Sequence, residues 1–208
     1  NRLIRMGEDK KNIYVVGCPS IDVICETPLL DVSILSDYFK LNFSEPVILM
    51  IQHPVTTENK QSFDQIKETV DAIKEVGVQT IVLLPNNDAG FSKIVKYIKK
   101  SKLKWYPSLP TDIFINLYRN VNAIIGNSSS GIHESSTFGI PAVNIGNRQQ
   151  GRERSGNVID VSNNKKDIVS GLRKALFDKE FISKVKLVEN IYGIGDPSIR
   201  IQQPSSHA

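Results

Sequence analysis

Val47-Ile48-Leu49-Met50-Ile51-Gln52-His53-Pro54 opens with five consecutive apolar residues and ends in a polar pair before proline. A strand with one wet face alternates apolar and polar side chains, whereas a run without alternation suits a strand covered on both faces. The pattern recurs down the chain, with candidate strands at residues 13–16, 47–52, 80–84, 123–126, 142–145 and 158–161. Helical stretches lie between them, near 54–76, 89–100, 111–118, 131–138 and 165–178. Gly77, Pro85, Gly139 and Pro141 punctuate the boundaries. Strand and helix in alternation predict an α/β fold, a doubly wound parallel sheet with helices on both faces.

The chain has 208 residues, one large domain or two small ones at roughly 100–200 residues per domain. At this size folding buries about 70% of the unfolded surface, enough for a core without a disulfide or metal staple. Cys18 and Cys25 are too few for a disulfide framework and have no zinc-ligand company, which fits a reducing compartment. No apolar run approaches the ~18 residues of a membrane span, and Asn1-Arg2-Leu3-Ile4-Arg5 is not a signal-peptide core. The expectation is a soluble cytoplasmic protein with no membrane partner.

Lys+Arg outnumber Asp+Glu by 26 to 22, a net charge of +4. The excess is local: Lys93, Lys96, Lys99, Lys100, Lys102 and Lys104 crowd one stretch, interleaved with Ile94, Val95 and Ile98 at helical spacing. They read as the solvated face of a helix. With no aromatic stacking platform or zinc finger beside them, they do not mark a nucleic-acid surface.

Open α/β sheets bind ligands outside the carboxyl ends of their strands. Four such ends carry polar clusters, Gln52-His53-Pro54, Pro85-Asn86-Asn87-Asp88, Gly126-Asn127-Ser128-Ser129-Ser130-Gly131 and Gly146-Asn147-Arg148 running on to Gly151-Arg152-Glu153. All four fall on one sheet edge. At 126–131, free N–H groups, a positive helix end and serine hydroxyls would attract an anion, although serine is also an ordinary N-cap. Glu134, one turn on, either faces another part of the ligand, such as ribose hydroxyls, or is simply favourable first-turn charge. Arg148 and Arg152 offer guanidinium forks that match phosphate oxygens, against the plainer reading of loop arginines in solvent. His53, held extended by Pro54, could bind a phosphate oxygen, move a proton near neutral pH, or be structural. Asn86, Asn87 and Asp88 could merely cap the following helix, and His133 and His207 have no identifiable partner in the sequence. No Gly-Lys-Ser/Thr phosphate loop, His-Glu-x-x-His, Gly-x-Ser-x-Gly or credible carboxylate pair is present. The residues alone lead to an α/β domain binding a phosphorylated or nucleotide ligand at one sheet edge, with no metal or cofactor motif.

Six motifs occur in order: Ile4-Arg5-Met6-Gly7-Glu8-Asp9, Val16-Gly17-Cys18-Pro19-Ser20, Gln52-His53-Pro54-Val55-Thr56-Thr57, Pro85-Asn86-Asn87-Asp88-Ala89-Gly90, Ile125-Gly126-Asn127-Ser128-Ser129 and Gly146-Asn147-Arg148-Gln149-Gln150-Gly151-Arg152-Glu153. Together they resemble the hydrolysing UDP-N-acetylglucosamine 2-epimerases, in the branch that serves sialic-acid and related nonulosonate synthesis. The likeness runs from Asn1 to about Ile201.

The resemblance implies a GT-B architecture, two Rossmann-like halves around a UDP-sugar cleft, of which this chain would be the C-terminal half. Residues 1–20 would end the N-terminal domain and linker, 21–201 would form the nucleotide-binding domain, and 202–208 a polar tail. It further implies that Ser128 and Ser129 hold the diphosphate, with Asn127 beside them among the substrate-binding residues, Glu134 the ribose, and the backbone around Leu109 the uracil. Asn86 and Arg148 would line the cleft with His53, the one catalytic candidate, and Arg152, matching the family's loop motif, would be a further substrate-binding residue without a defined subsite. The implied reaction eliminates UDP across C1–C2 and hydrates the resulting glycal to N-acetylmannosamine, without metal or cofactor. Its main carboxylates would belong to the other half, so this chain alone would be inactive. A homo-oligomer, dimer or tetramer, is implied for the full-length protein. UDP-N,N'-diacetylbacillosamine is an alternative substrate, and a GT-B glycosyltransferase half or a non-catalytic nucleotide-sugar module are alternative readings. Phe91, Ser92 and Lys96 stand where the mammalian enzyme of this family grips CMP-sialic acid with basic residues, a departure from feedback control.

Overall fold

The computed structural model describes residues 1–193, so the expected tail at 202–208 lies outside the described residues. The chain divides into two units, Asn1–Thr27 with Tyr192–Ala208, and Pro28–Ile191. The first contains α1 (Arg2–Arg5), a 3-10 turn at Lys10–Asn12 capped by Asp9, and α2 (Pro19–Glu26). Pro19 sits in the first turn of α2, where a missing N–H costs nothing. Within this unit the Cys18 N–H donates to the Tyr192 carbonyl at 2.8 Å. The strand expected at 13–16 does not form, and Tyr14 and Val15 are exposed. A strand exists only through a neighbour that takes its N–H and C=O groups, and this unit supplies none among the described residues.

The second unit runs α3 (Val32–Phe39), β1 (Val47–Ile51), α4 (Ser62–Val76), β2 (Gln79–Leu83), α5 (Phe91–Lys100), β3 (Lys104–Tyr106), α6 (Thr111–Asn120), β4 (Ala123–Gly126), α7 (Ser130–His133), β5 (Ala142–Ile145), β6 (Val158–Val161), α8 (Lys165–Phe177) and α9 (Lys179–Val185). The strands are parallel and lie in the order β3-β2-β1-β4-β5-β6. Winding proceeds outward from β1 to β3, returns, and proceeds from β4 to β6 in the opposite direction. The switch point is therefore between β1 and β4, where ligands enter doubly wound sheets.

Burial follows the pleat. Ile48 and Met50 of β1 pack with Ile66, Val70 and Ile73 of α4, Ile94 and Ile98 of α5, and Ile168 and Leu172 of α8. Val47, Leu49 and Ile51 point the other way, to Leu35 and Phe39 of α3 and Ile113, Leu117 and Tyr118 of α6. Both faces of β1 are thus dry, which is why its sequence shows no polar alternation. Each such side chain contributes about 1.5–3 kcal/mol on burial. Gly77 ends α4 in the left-handed conformation expected of a helix stop, its N–H returning to the Ile73 carbonyl.

Other readings need correction as well: the helix expected over 54–76 begins only at Ser62, after a 3-10 segment at Thr56–Gln61. The strand β3 went unseen because Lys104-Trp105-Tyr106 is a three-residue sheet edge embedded in the lysine-rich stretch. Helix α7, expected over 131–138, stops at His133. The Ser135 hydroxyl donates to the Gly131 carbonyl at 2.9 Å, while the Ser135 N–H reaches back to Ser130 instead. Serine competes in this way with helical bonding, and turns follow to Gly139. The lysine cluster is partly structural. Lys104 Nζ donates to the Phe39 carbonyl and, at 3.0 Å, to that of Lys40, closing the end of α3, and Lys99 lies 4.8 Å from the Trp105 ring centre.

Candidate nucleotide site at the switch point

At the carboxyl ends of β1 and β4 the backbones come unusually close. Gly126 has φ +132°, and a Cβ built on it would lie 2.0 Å from the Ile51 carbonyl oxygen. The next residue exploits that approach. The Asn127 N–H donates to Ile51 O at 3.1 Å. The Asn127 side chain then takes both main-chain groups of His53, with Oδ1 accepting from the His53 N–H at 2.7 Å and Nδ2 donating to the His53 carbonyl at 2.8 Å.

The His53 ring is held from the other side. Its Nδ1 lies 2.7 Å from Asn86 Oδ1 and 3.3 Å from the Asn86 N–H. One nitrogen cannot serve both; the shorter contact puts the proton on Nδ1 and leaves the lone pair of the neutral ring on Nε2. Burial, and then the Arg148 guanidinium, hold the His53 pKa below the usual histidine value, with the Asn86 bond and the Asp88 carboxylate pulling it partly back. Arg148 donates through Nη1 to the Asn127 carbonyl at 3.2 Å, and its Nη2 lies 3.9 Å from Asp88 Oδ2. The buried Gln149 donates to that same carbonyl at 2.7 Å. Burial lowers the Arg148 pKa and Asp88 raises it. All four polar loops are therefore joined, by His53–Asn86, His53–Asn127, Arg148–Asn127 and Arg148–Asp88.

An open hollow of about 400 Å³ lies between Pro54, Val55, Thr56 and Thr57, Asp88, and Asn147, Arg148 and Gln150. That is within the range of small-molecule sites. Its walls are braced by two side chains that nothing in the sequence singled out. Glu58 accepts from Asn147 at 2.6 Å and from Gln65 at 2.7 Å. Arg154 donates to the Arg152 carbonyl, to the Gln149 carbonyl at 3.1 Å and to Asp160 at 3.1 and 3.3 Å, fixing the loop after β5 to β6. Burial raises the Asp160 pKa, but the bonds from Arg154 and Asn144 outweigh it and leave the pKa lowered.

The serine turn is less of a helix terminus than its sequence promised. A four-residue helix has little macrodipole, so any attraction for an anion rests on donors rather than on a helix end. Those donors exist. The N–H groups of Ser128 and Ser129 have no partner among the described residues, and the Ser128 hydroxyl lies 3.1 Å from that of Ser130. Asn127, grouped with them in the sequence, is buried and turned toward His53. Glu134 is the C-cap of α7, half-buried, and its charge helps raise the pKa of Tyr118, whose first cause is burial. Arg152 contacts His133 Nε2, so both have a partner the sequence did not reveal. Leu109 lies on the loop between β3 and α6, at the same sheet edge, with its side chain packed on the α3–α6 core. Asn86 and Asp88 do not cap α5 with their side chains; Gly90 is its N-cap. Among the described residues no group of three or more His, Cys, Asp or Glu is placed to hold a metal, and no helix is long and apolar enough to cross a membrane.

Comparison with known proteins meets this geometry from outside. A family model described as UDP-N-acetylglucosamine 2-epimerase matches residues 1–204. The chain belongs to the UDP-N-acetylglucosamine 2-epimerase family. Among its relatives is the UDP-N,N'-diacetylbacillosamine 2-epimerase (hydrolyzing) of Legionella pneumophila, 35% identical over 97% of this chain and 53% of that protein. Another is the UDP-N-acetylglucosamine 2-epimerase of Neisseria meningitidis serogroup B, 30% identical over 84% of this chain and 47% of that one. The chain spans about half the length of the curated relatives it matches. In three dimensions it resembles the crystal structure of the Neisseria meningitidis UDP-GlcNAc 2-epimerase bound to UDP-GlcNAc, with TM-score 0.81 and 18% identity over 98% of this chain and 58% of that one. The fold of this epimerase-family chain is thus a Rossmann-like half of a GT-B architecture.

Proposed function

We propose that this chain is the UDP-binding half of a hydrolysing UDP-N-acetylglucosamine 2-epimerase, its nucleotide domain spanning 21–201 and residues 1–20 ending the preceding domain. The observation that carries the reading is the joining of four loops at the β1–β4 switch point beside unpartnered Ser128 and Ser129 N–H groups. In this reading those serines and Arg148 take the diphosphate, Glu134 the ribose hydroxyls, the backbone around Leu109 the uracil, and Asn86 and Arg152 line the cleft. Anti elimination needs stabilisation of the departing UDP and a base for the C2 proton. Arg148, the serine turn and His53 meet the first need. In this reading the carboxylates for the second belong to the other half of the cleft, and the present half binds without turnover. The whole protein would be a cytoplasmic homo-oligomer.

A second reading keeps the site and changes the sugar to UDP-N,N'-diacetylbacillosamine, supported by the 35% identity to the Legionella enzyme. Titration of the chain with UDP, UDP-GlcNAc and UDP-N,N'-diacetylbacillosamine tests both. Loss of a hydrogen bond to a charged group costs about 1.5–3 kcal/mol, so Ser128→Ala should weaken UDP binding roughly ten- to hundredfold. No UDP binding by folded chain would remove the nucleotide reading, and a clear preference between the two sugars would choose the substrate.

A further inference from the structure

Asn127 sits among residues that read as ligand contacts, yet its buried side chain commits one donor and its acceptor oxygen to the protein's own main chain. It is 3% exposed, its Oδ1 takes the His53 N–H at 2.7 Å and its Nδ2 the His53 carbonyl at 2.8 Å. A carboxamide is a peptide group in miniature. Used in this way it adds one more pair of bonds beyond the β1–β4 ladder, whose last partners are Ile51 and Gly126. The Asn127 N–H bond to Ile51 fixes the base of that bracket, and Arg148 and Gln149 both donate to its carbonyl.

We propose that Asn127 is a positioning residue, a surrogate backbone that clamps the His53 main chain at the switch point and so aims the imidazole toward the proposed nucleotide cleft. The argument is one of degrees of freedom. After β1, the backbone at His53 has no strand to bind it, and Pro54 restricts it to extended geometry without fixing it in place. Two hydrogen bonds to one rigid amide fix both peptide planes flanking His53. Only the side-chain torsions remain, and the Nδ1 bond to Asn86 at 2.7 Å settles those. Remove the amide and the ring is tethered by Asn86 alone, an exposed loop residue. The charged groups facing His53, Arg148 and Asp88, would stay in place because Gln149 still holds the Asn127 carbonyl.

The role assigned to His53 rests on the proposed function; the clamp itself does not. Imidazole ¹⁵N NMR on the chain reads the His53 titration and tautomer directly, with His133 as internal reference. In Asn127→Ala the His53 N–H should exchange about tenfold faster, the Nδ1–H signature should give way to a tautomer mixture, and the pKa should rise toward the ordinary histidine value. His133 should not move. A purely structural asparagine would lower the unfolding midpoint and leave the His53 tautomer and exchange as they were, and that result overturns the proposal. If Asn127→Ala does not fold, Asn127→Asp carries the test. It matches in size and keeps the acceptor, but sets an oxygen against the His53 carbonyl, and is read by tautomer because its charge would itself raise the pKa. UDP titration of the same samples separates the two claims. Failure of the wild-type chain to bind UDP counts against the cleft, whereas an unchanged His53 counts against the clamp.

Discussion

Replacing Gly126 by alanine drives a methyl carbon into the Ile51 carbonyl. The built Cβ lies 2.0 Å from Ile51 O, 2.6 Å from Ile51 C and 3.2 Å from Gln52 N, and real Cβ atoms essentially never approach within 3.0 Å. The two strand ends must part by at least the difference, 1.0 Å, at a point where neither neighbour is a flexible side chain. A displacement of that size stretches the Asn127 N–H bond to Ile51, now 3.1 Å, to about 4 Å, beyond hydrogen-bond range. Leaving buried main-chain groups unpaired costs about 1–3 kcal/mol each, and holding alanine at φ +132° adds about 1–3 kcal/mol. With the Asn127 N–H and the Ile51 carbonyl both unpaired, we predict a total of about 3–9 kcal/mol, a large part of the 5–15 kcal/mol that holds a domain together. Urea unfolding measures it against Gly77→Ala, another left-handed glycine but with nothing within 4 Å of its Cβ, which should cost only about 1–2 kcal/mol. If the two substitutions cost the same, the close approach of β1 and β4 is not what demands glycine, and the reasoning fails.

Three further outcomes follow from the geometry. Arg148→Lys keeps the charge but loses the planar fork, so UDP affinity should drop about tenfold by calorimetry, while Arg152→Lys, on an exposed loop, should change it less; equal effects would contradict the placement of Arg148. Lys104→Met strips the donors from the Phe39 and Lys40 carbonyls and should cost about 1–2 kcal/mol in urea unfolding, against nearly nothing for the exposed Lys100→Met. Because the folded pKa of His53 lies below its ordinary 6.5, the unfolded chain binds the proton more readily, and the stability this contributes is present above pH 6.5 and lost as pH falls through the folded pKa. His53→Gln should therefore flatten the fall in unfolding free energy on the acid side; an unchanged slope would mean His53 titrates normally. His133 shifts in the same direction and remains in both proteins, so it cancels from the difference.

The sheet was legible because its chemistry is local. An unbroken run such as Val47–Ile51, short and followed by a polar pair and proline, suits a strand buried on both faces, and the residues after parallel strands fall on one edge whatever the details of packing. β3 was not legible, since Lys104-Trp105-Tyr106 has neither the length nor the uniformity of a buried strand and is recruited by its neighbour β2. Extended Ile13 to Val16 failed for the converse reason, a strand-like composition without a partner to pair with. At the site, the loops could be read but their connections could not. Nothing near Asn127 says that its amide will bind a main chain 74 residues away, or that Arg148 and Gln149 will share its carbonyl. Glu58 and Arg154 carried no signal at all, because a brace between two loops is a fact of the third dimension. The serine turn was overread as a helix start, for hydroxyls that suit a cap also compete for the bonds that would extend the helix.

The electrostatics of the site bear little relation to the charge of the chain. Of the 26 Lys and Arg residues, six lysines crowd α5 and the residues just after it, where one closes α3 and another covers Trp105. At the switch point the cationic Arg148 is partly balanced by Asp88, and His53 is held toward neutrality first by burial and only second by Arg148. A diphosphate engaging Arg148 would remove the second cause and leave the first. Its own negative charge would also favour the imidazolium, so the His53 pKa would rise on binding. The ring would then be neutral in the empty site and easier to protonate once phosphate oxygens stand beside it. A fully exposed histidine would have less of this range, having no desolvation to overcome, and a fully buried one could not follow the ligand. Half-burial, with the main chain fixed and one ring nitrogen committed to Asn86, is the arrangement in which a change of ligand charge is converted into a change of proton affinity on the remaining nitrogen.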